Sequence, residues 1–155
     1  MKIAVITVSD RASQGLYQDL SGPAVEKVFL DFDPSATVER EIVPDGVESV
    51  TAAYIRRKDA DWIVTTGGTG PSPRDLTPEA TERYCDRLLP GLGEYFRIKS
   101  LEQTPFAVFS RALAGMKGTQ YIVNFPGSVR GAEFHARLLA PLLSHGVEMA
   151  LGKGH

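Results

Sequence analysis

The chain has 155 residues, of which 43% are hydrophobic and 23% are charged, and its formal net charge is −2. These values are typical of globular proteins and argue against disorder, and the length fits a single domain over residues 1–155. The charge balance gives no support for a basic surface of the kind that binds nucleic acid.

Cysteine usage and hydropathy limit the compartment. Cys85 is the only cysteine, so no internal disulfide can form, which fits a reducing compartment. The apolar run near the amino terminus is too short for the core of a signal peptide. No stretch approaches the about 18 apolar residues of a membrane-spanning helix. We therefore expect a cytoplasmic protein without membrane contact.

The first third of the chain alternates strand and helix patterns. Residues 3–8 (IAVITV) are apolar and rich in β-branched side chains, which predicts a strand buried on both faces. A helix is predicted to follow, with Ser21 as its N-cap. The alternating residues 37–43 predict a strand nearer the sheet edge. Asp45, with Glu48 three residues later, resembles a capping box for the next helix.

The third predicted strand, residues 62–66, runs directly into a turn that contains Gly67, Gly68 and Gly70. Glycine permits a positive φ and lets a ligand approach the backbone closely, and free N–H groups in such a turn bind anions well. The same pattern also fits a tight strand–helix connection that binds nothing.

The second half of the chain predicts more helices and one more strand. Thr77 is expected to cap a helix that breaks at residues 90–91 and then resumes. Residues 106–114 are expected to be helical and residues 121–124 to form a short strand. A long amphipathic helix is predicted to follow, with a kink at Pro141.

Alternating strands and helices predict an α/β fold with a mainly parallel sheet. In such folds ligands bind beyond the carboxyl ends of the strands. Polar turns follow all four predicted strands, at residues 9–10, 44–45, 67–75 and 124–128. We therefore expect these turns to meet at one edge of the sheet and to form a ligand site.

Several common motifs are missing from the sequence. The glycine turn lacks the lysine of GxxxxGK[ST] and the third glycine of GxGxxG, and no GxSxG nucleophile elbow occurs. His135, His145 and His155 do not have the spacing of a zinc site. What remains suits Mg²⁺ and phosphate: aspartate carboxylates, backbone amides and arginine guanidinium groups.

Two stretches around the glycine turn carry a family resemblance. Residues 66–70 (TGGTG) and 74–80 (RDLTPEA) resemble the signature of the molybdenum-cofactor biosynthesis domain, which bacterial Mog and MoaB proteins share with the G domains of gephyrin and its plant relatives. Similarity to the Mog branch in particular is carried by residues 9–19, 90–94, 104–105, 110–111 and 124–127. One departure is Ser128-Val129-Arg130, where the family usually has a proline and a basic residue.

The resemblance implies a three-layer α/β/α architecture, with a mainly parallel sheet and helices on both faces, and a molybdopterin adenylyltransferase activity. In that reaction the molybdopterin phosphate takes AMP from ATP, pyrophosphate is released, and Mg²⁺ is required. The resemblance also implies a homotrimer and hand-over of the product to a molybdate-insertion protein. A second interpretation is a non-catalytic, MoaB-like phosphopterin-binding protein, which would keep the pocket without turnover.

The acidic candidates suit this chemistry. Because the attacking phosphate oxygen is already ionised, no general base is required, and catalysis consists of positioning and charge neutralisation. We assign Asp45 and Asp75 to catalysis and to Mg²⁺, with Asp10 as a further candidate for binding the triphosphate. Asp45 as a helix cap, Asp10 as a cap of the first turn and Asp75 as a plain turn residue remain open alternatives.

The remaining candidates are expected to bind the substrates. Those predicted to surround the phosphates are Ser9, Gly67, Gly68, Thr69, Gly70 and Thr77. Those predicted to hold the pterin and its phosphate are Ser110, Arg111, Pro126, Gly127 and Ser128. Arg74 would either pair with a phosphate or brace the loop against a carboxylate, and residues 110–111 could instead be an ordinary solvated helix turn.

Overall fold

The computed structural model describes residues 1–153, so His155 lies outside the described residues. Its strands are β1 (Lys2–Val8), β2 (Thr37–Val43), β3 (Trp62–Thr66), β4 (Arg87–Leu88), β5 (Ala114–Lys117) and β6 (Gln120–Phe125). They form one sheet in the order β2-β1-β3-β6-β5-β4. Strands β2, β1, β3 and β6 are parallel to one another, whereas β5 is antiparallel to both of its neighbours, β6 and β4.

Helices cover both faces of this sheet. They are α1 (Asp10–Ser13), α2 (Ser21–Phe32), α3 (Val47–Arg56), α4 (Thr77–Tyr84), α5 (Pro90–Leu101), α6 (Val129–Leu139) and α7 (Leu143–Ala150), with 3₁₀ turns at Pro105–Phe109 and Ala140–Leu142. No helix within residues 1–153 combines the length and apolar character needed to cross a membrane.

Two apolar layers hold the helices on the sheet. On one face, α2, α5 and α6 bury side chains such as Phe29, Phe96 and Leu139 against β1, β3 and β6. On the other face, α3 and α4 bury Tyr54 and Ala80 against the same strands. Because the central strands are covered on both sides, they are apolar without alternation. The predicted three-layer α/β/α architecture is confirmed.

The strand predictions for the parallel part of the sheet are confirmed. Residues 3–8, 37–43, 62–66 and 121–124 all lie in strands, and β2 is at the sheet edge as expected. The predicted kink at Pro141 is also confirmed, because a 3₁₀ turn separates α6 from α7 at this residue. Proline lacks the N–H that a continuous helix would need there.

The predicted caps of α2 and α3 are wrong. Ser21 is the first residue of α2, and the Asp19 carboxylate instead accepts a hydrogen bond from the Gly22 N–H at 3.0 Å. The capping box at the start of α3 does not form, because Gly46 precedes the helix and no side chain caps it. The Asp45 carboxylate accepts from the Asp10 N–H at 3.0 Å instead.

The prediction for the segment between α4 and β6 is wrong in two places. The helix that begins at Thr77 ends at Tyr84, and Pro90 begins a new helix rather than breaking one. Residues 106–114, expected to be helical, form a short 3₁₀ turn and then enter β5. Residues 114–117 form a strand because they pair with β4 on one side and β6 on the other. This pairing continues beyond β4, where the Leu89 N–H donates to Ala114 O at 2.7 Å.

The turn after β3 passes very close to its neighbours. Gly67 has φ +103°, and a Cβ at this position would lie 2.3 Å from the carbonyl oxygen of Val8 at the end of β1. Gly127, after β6, approaches from the other side, and its Cβ would lie 3.2 Å from Gly67 Cα. Only glycine therefore allows the ends of β1, β3 and β6 to come this close.

We expect Gly67→Ala to destabilise the protein by more than about 2 kcal/mol, because an L-residue at positive φ costs roughly 1–2 kcal/mol before the clash is added. Gly118→Ala is the matched control, since Gly118 also has positive φ but a Cβ would meet nothing within 4 Å. Urea unfolding of both variants measures the difference. Equal losses of stability would contradict the close approach.

Candidate active site

Four consecutive carbonyl groups of the glycine turn, residues 67–70, are held by the protein. The Gly67 carbonyl accepts from the Thr77 hydroxyl at 2.9 Å, and the Gly68 carbonyl accepts from the Thr77 N–H at 3.1 Å. Arg111 holds the next two, because its N–H donates to Thr69 O and its Nε donates to Gly70 O, both at 2.9 Å.

These bonds also fix the orientation of the N–H groups of the turn. In a trans peptide the C=O and the following N–H point in opposite directions, so fixing the carbonyls of Gly67, Gly68 and Thr69 also fixes the amides of residues 68–70. Within residues 1–153 none of these three amides donates to a protein acceptor. A turn with successive free N–H groups is a binding site for anions.

A cavity of about 330 Å³ lies beside the first half of the turn, between the ends of β1, β3 and β6. The predicted site residues that line it are Ser9, Asp45, Gly67, Gly68, Asp75, Gly127 and Ser128. We call it the carboxylate cavity. Ser9 also caps α1, since its hydroxyl accepts from Ala12 N–H at 3.2 Å.

Asp10 and Asp45 fasten two of the sheet-end turns to each other. Asp10 Oδ1 accepts from the Asp45 N–H, and Asp45 Oδ2 accepts from the Asp10 N–H, both at 3.0 Å. Arg74 Nη2 lies 3.2 Å from Asp10 Oδ2, so the arginine braces this pair. Neither Asp10 nor Arg74 lines the carboxylate cavity.

Burial raises the pKa of the Asp45 carboxyl above its ordinary value, and the neighbouring charges of Asp10 and Asp75 raise this pKa further. The Asp75 carboxylate accepts from Ser72 N–H at 3.0 Å and so closes the turn that leads to α4. Like charges held together without full compensation are typical of functional sites.

Asp45 and Asp75 could hold a divalent cation together with a bound phosphate, but not as a complete set of protein ligands. Within residues 1–153 no group of three or more acidic, histidine or cysteine side chains is arranged to hold a metal. Mg²⁺ is usually bound by one or two carboxylates together with substrate phosphates and water. Asp45 and Asp75, which line one cavity beside free amides, match that second pattern.

A second cavity, of about 280 Å³, lies beside the other half of the turn. We call it the aromatic cavity, because Phe96, Phe106 and Phe109 line it. The predicted site residues in its wall are Thr69, Gly70, Ser110, Pro126 and Ser128. Ser128 lines both cavities, so they adjoin at this residue and at the glycine turn.

Besides Asp10 and Arg74, two more predicted residues, Arg111 and Thr77, lie outside both cavity walls. Arg111 pairs with Glu79 on α4 and also donates to the Asp75 carbonyl, in addition to its bonds to the glycine turn. The Thr77 side chain is fully buried and its hydroxyl is used by the turn, so it does not cap α4. Both side chains position the turn in this structure.

Sequence reasoning missed several residues of these cavities. Asp19 lines the carboxylate cavity, and Arg97, Ser100 and His135 line the aromatic cavity. Asp19 carries a weak signal, an aspartate just before a predicted helix start. Arg97 and His135 carry none, because each lies in a helix whose face toward the cavity is set by tertiary packing.

His135 is buried among aromatic rings, and the Arg97 guanidinium is the charged group that acts on it among residues 1–153. Burial first and this charge second lower the pKa of the imidazole to about 4. The ring stacks on Phe96 and meets the edge of Phe125. His135 is therefore neutral in the folded protein at ordinary pH.

A neutral His135 predicts a defined pH dependence of stability. Below about pH 6.5 the unfolded chain protonates this histidine, whereas the folded chain does so only near pH 4, so its contribution of up to about 3 kcal/mol is lost as the pH falls between these values. In His135→Gln that loss should be missing. Urea unfolding at about pH 7.5 and pH 5 tests this, and the same pH dependence in both proteins would contradict it.

Comparisons with known proteins agree with the geometry. Residues 4–145 match the model of the probable molybdopterin binding domain family. A curated relative named molybdopterin adenylyltransferase, from Helicobacter pylori strain 26695, is 40% identical over 155 residues, covering 97% of this chain and 88% of the relative.

Solved structures give the same result. A MogA structure superposes with a TM-score of 0.90 at 35% identity and covers 97% of this chain and 99% of that one. The molybdopterin biosynthesis enzyme MoaB from Thermus thermophilus superposes with a TM-score of 0.85 at 38% identity, covering 98% of this chain and 97% of that one. The chain belongs to the molybdopterin-binding domain family of molybdenum-cofactor biosynthesis proteins.

Proposed function

We propose that the chain is a molybdopterin adenylyltransferase, which uses ATP to adenylate molybdopterin. The observation that carries this proposal is the position of the glycine turn, whose free amides lie between a cavity with carboxylates and a cavity with aromatic rings. A reaction that joins two phosphate-bearing heterocycles needs such a pair of adjoining sites. The relatives named molybdopterin adenylyltransferase support the same activity.

The proposed transfer needs no general base from the protein. An ionised oxygen of the molybdopterin phosphate forms a bond to the α-phosphorus of ATP, the bond from that phosphorus to the β-phosphate oxygen breaks, and pyrophosphate leaves. No proton has to be removed from the nucleophile. The amides of residues 68–70 would hold the reacting phosphates in place and donate hydrogen bonds to the charge that builds up on them.

Asp45 and Asp75 would hold Mg²⁺ together with the triphosphate of ATP. The cation, when bound, neutralises charge on the phosphates and orients the leaving group. Ser9, Gly67, Gly68 and Gly127 would surround the triphosphate. Asp10 and Arg74 would keep the Asp45 turn in position.

The aromatic cavity would hold the pterin ring. Its wall is largely apolar, Thr69, Ser110 and Ser128 contribute hydroxyl groups to it, and Gly70 and Pro126 also line it. Ser128 at the junction would contact the phosphate that is to be adenylated. Arg111 and Thr77 would act on the substrates indirectly, by holding the glycine turn.

The alternative is a non-catalytic phosphopterin-binding protein of MoaB type. The structural similarity to MoaB from Thermus thermophilus is the observation that supports this alternative. Asp45 and Asp75 together favour the enzyme, because both carboxylates line the cavity beside the free amides and could hold Mg²⁺ with a triphosphate. Binding of a phosphopterin alone needs no such pair.

AMP transfer is the direct test. Incubation with molybdopterin and Mg-ATP should release pyrophosphate and form adenylated molybdopterin, separated by chromatography. Asp75→Asn should reduce the rate roughly a hundredfold or more, the size expected when charge stabilisation is removed, and should leave pterin binding intact. Asp31→Asn, an exposed carboxylate paired with Lys27 on α2, is the matched control. Binding without transfer by the unaltered protein would refute the enzyme.

Asp45→Asn should separate stability from activity. Because burial and two neighbouring carboxylates raise the pKa of Asp45, its ionised form is unfavourable in the folded protein at neutral pH. The amide can still accept the Asp10 N–H bond. We therefore expect an unchanged or higher Tm together with lost transfer. A clear fall in Tm would show that Asp45 is a structural residue.

We also propose a homotrimer in the cytoplasm that passes its product to a molybdate-insertion protein. Several large apolar side chains of α5 and of the 3₁₀ turn after it are exposed, which is typical of an interaction surface; they are Ile98, Phe106, Val108 and Phe109, of which Phe106 and Phe109 also line the aromatic cavity. Light scattering should give three times the 16.8 kDa mass of one chain. A monomer mass would refute the trimer without affecting the proposed reaction.

A further inference from the structure

The aromatic cavity contains a histidine–serine pair that the proposed reaction does not use. His135 Nε2 lies 2.7 Å from Ser100 Oγ, and both residues line the cavity. His135 is 4% exposed, and its Nδ1 has no hydrogen-bond partner within residues 1–153. A buried polar atom without a partner is rare in folded proteins and calls for an explanation.

The missing partner determines where the imidazole proton lies. A neutral imidazole carries its proton on one nitrogen only. A proton on Nδ1 would leave a buried N–H donor without an acceptor, which is the rarer and less favourable arrangement. The proton therefore lies on Nε2, and the His135 N–H donates to Ser100 Oγ. The Ser100 hydroxyl proton then has no use inside the pair and is available to a ligand.

Three other hydroxyl groups of the aromatic cavity also accept a hydrogen bond from the protein. Thr104 Oγ1 accepts from Phe106 N–H at 3.3 Å, and Ser128 Oγ accepts from Gly131 N–H at 3.2 Å. Ser110 Oγ accepts a longer bond from the N–H two residues on. Each of these oxygens is occupied by a protein donor, so each hydroxyl proton can be offered to a bound molecule.

The aromatic cavity also contains a charged hydrogen-bond donor. Arg97 donates to the Ser110 carbonyl at 3.0 Å and is the only charged side chain among the described residues that line the cavity. A guanidinium group donates and never accepts. The side chains of the cavity are therefore arranged to meet hydrogen-bond acceptors on their ligand.

We propose that His135 is a positioning residue, which orients the Ser100 hydroxyl so that Ser100 donates a hydrogen bond to an acceptor on the edge of the pterin ring, a keto oxygen or a ring nitrogen. The proposal rests on the assignment of the pterin to the aromatic cavity. It makes Ser100 a specificity residue for pterin binding, whereas the ATP side of the site should not depend on either residue.

Four variants separate positioning from space filling. Ser100→Ala removes the donor, and Ser100→Thr keeps it. His135→Phe keeps a flat ring against Phe96 but removes the N–H, and His135→Gln restores an N–H donor close to the Nε2 position. His145→Phe and Ser144→Ala, on an exposed part of α7, are the matched controls.

The measurements are the Kd for molybdopterin, from its fluorescence under anaerobic conditions, and the KM for Mg-ATP. Ser100→Ala and His135→Phe should each raise the Kd about five- to tenfold, as for one lost hydrogen bond. For Ser100→Thr, His135→Gln and both controls, the Kd should stay within about twofold of that of the unaltered protein. The double variant that combines Ser100→Ala with His135→Phe should have the same Kd as Ser100→Ala alone. The KM for Mg-ATP should not change in any of them.

Three results would overturn the proposal. His135→Phe could bind as tightly as the unaltered protein, or His135→Gln could be as weak as His135→Phe, or the KM for Mg-ATP could change in place of the Kd. If the Tm shows that His135→Phe does not fold, the comparison of Ser100→Ala with Ser100→Thr and the Kd of His135→Gln still test the proposal. If the unaltered protein transfers no AMP and the Kd values nevertheless follow the pattern, the proposed function fails and this inference stands.

Discussion

The site depends on one backbone constraint, the fixing of four consecutive carbonyl groups in residues 67–70. Thr77 and Arg111 supply all the donors for them. Since peptide planes are rigid, holding these carbonyls also fixes the amides of residues 68–70. The proposed phosphate site therefore rests on the bonds that Thr77 and Arg111 make to the turn.

The rest of the fold brings the required chemistry to this turn. The strand order β2-β1-β3-β6 places the carboxyl ends of four parallel strands next to one another. The turns after β1 and β2 bring Asp10 and Asp45 together, and the turn after β6 brings Ser128 to the junction of the two cavities. Asp45 and Asp75 line the cavity beside one half of the glycine turn and the aromatic rings line the cavity beside the other half, so the proposed reaction would bind the triphosphate and the flat ring in separate places.

Much of this was predictable from the sequence, for identifiable reasons. Buried strands are apolar runs and turns are rich in glycine, so the parallel strands and the turns that carry Asp45 and Asp75 could be predicted. The bond of Asp45 could not, because its partner Asp10 approaches only in the folded chain. The cap of α2 was missed for another reason, since Asp19 bonds locally to the Gly22 N–H and Ser21 was the stronger sequence candidate. β5 was missed because a weak strand sequence is held by its two neighbours.

The role of Arg111 shows the limit most clearly. The pair Ser110-Arg111 suits phosphate binding, and the sequence contains nothing to indicate Glu79 as the partner of the guanidinium group. In the structure this arginine forms part of the support of the turn. Similarly, Ser100 and His135 are 35 residues apart in the chain and become a pair only through the packing of α5 against α6.

The most direct test of the account is a crystal structure with Mn²⁺ and a non-hydrolysable ATP analogue, with the metal located by its anomalous scattering. The account predicts a metal within about 2.2 Å of carboxylate oxygens of Asp45 or Asp75, with phosphate oxygens on the amides of residues 68–70. A metal and triphosphate bound elsewhere, with those amides turned to solvent, would contradict it.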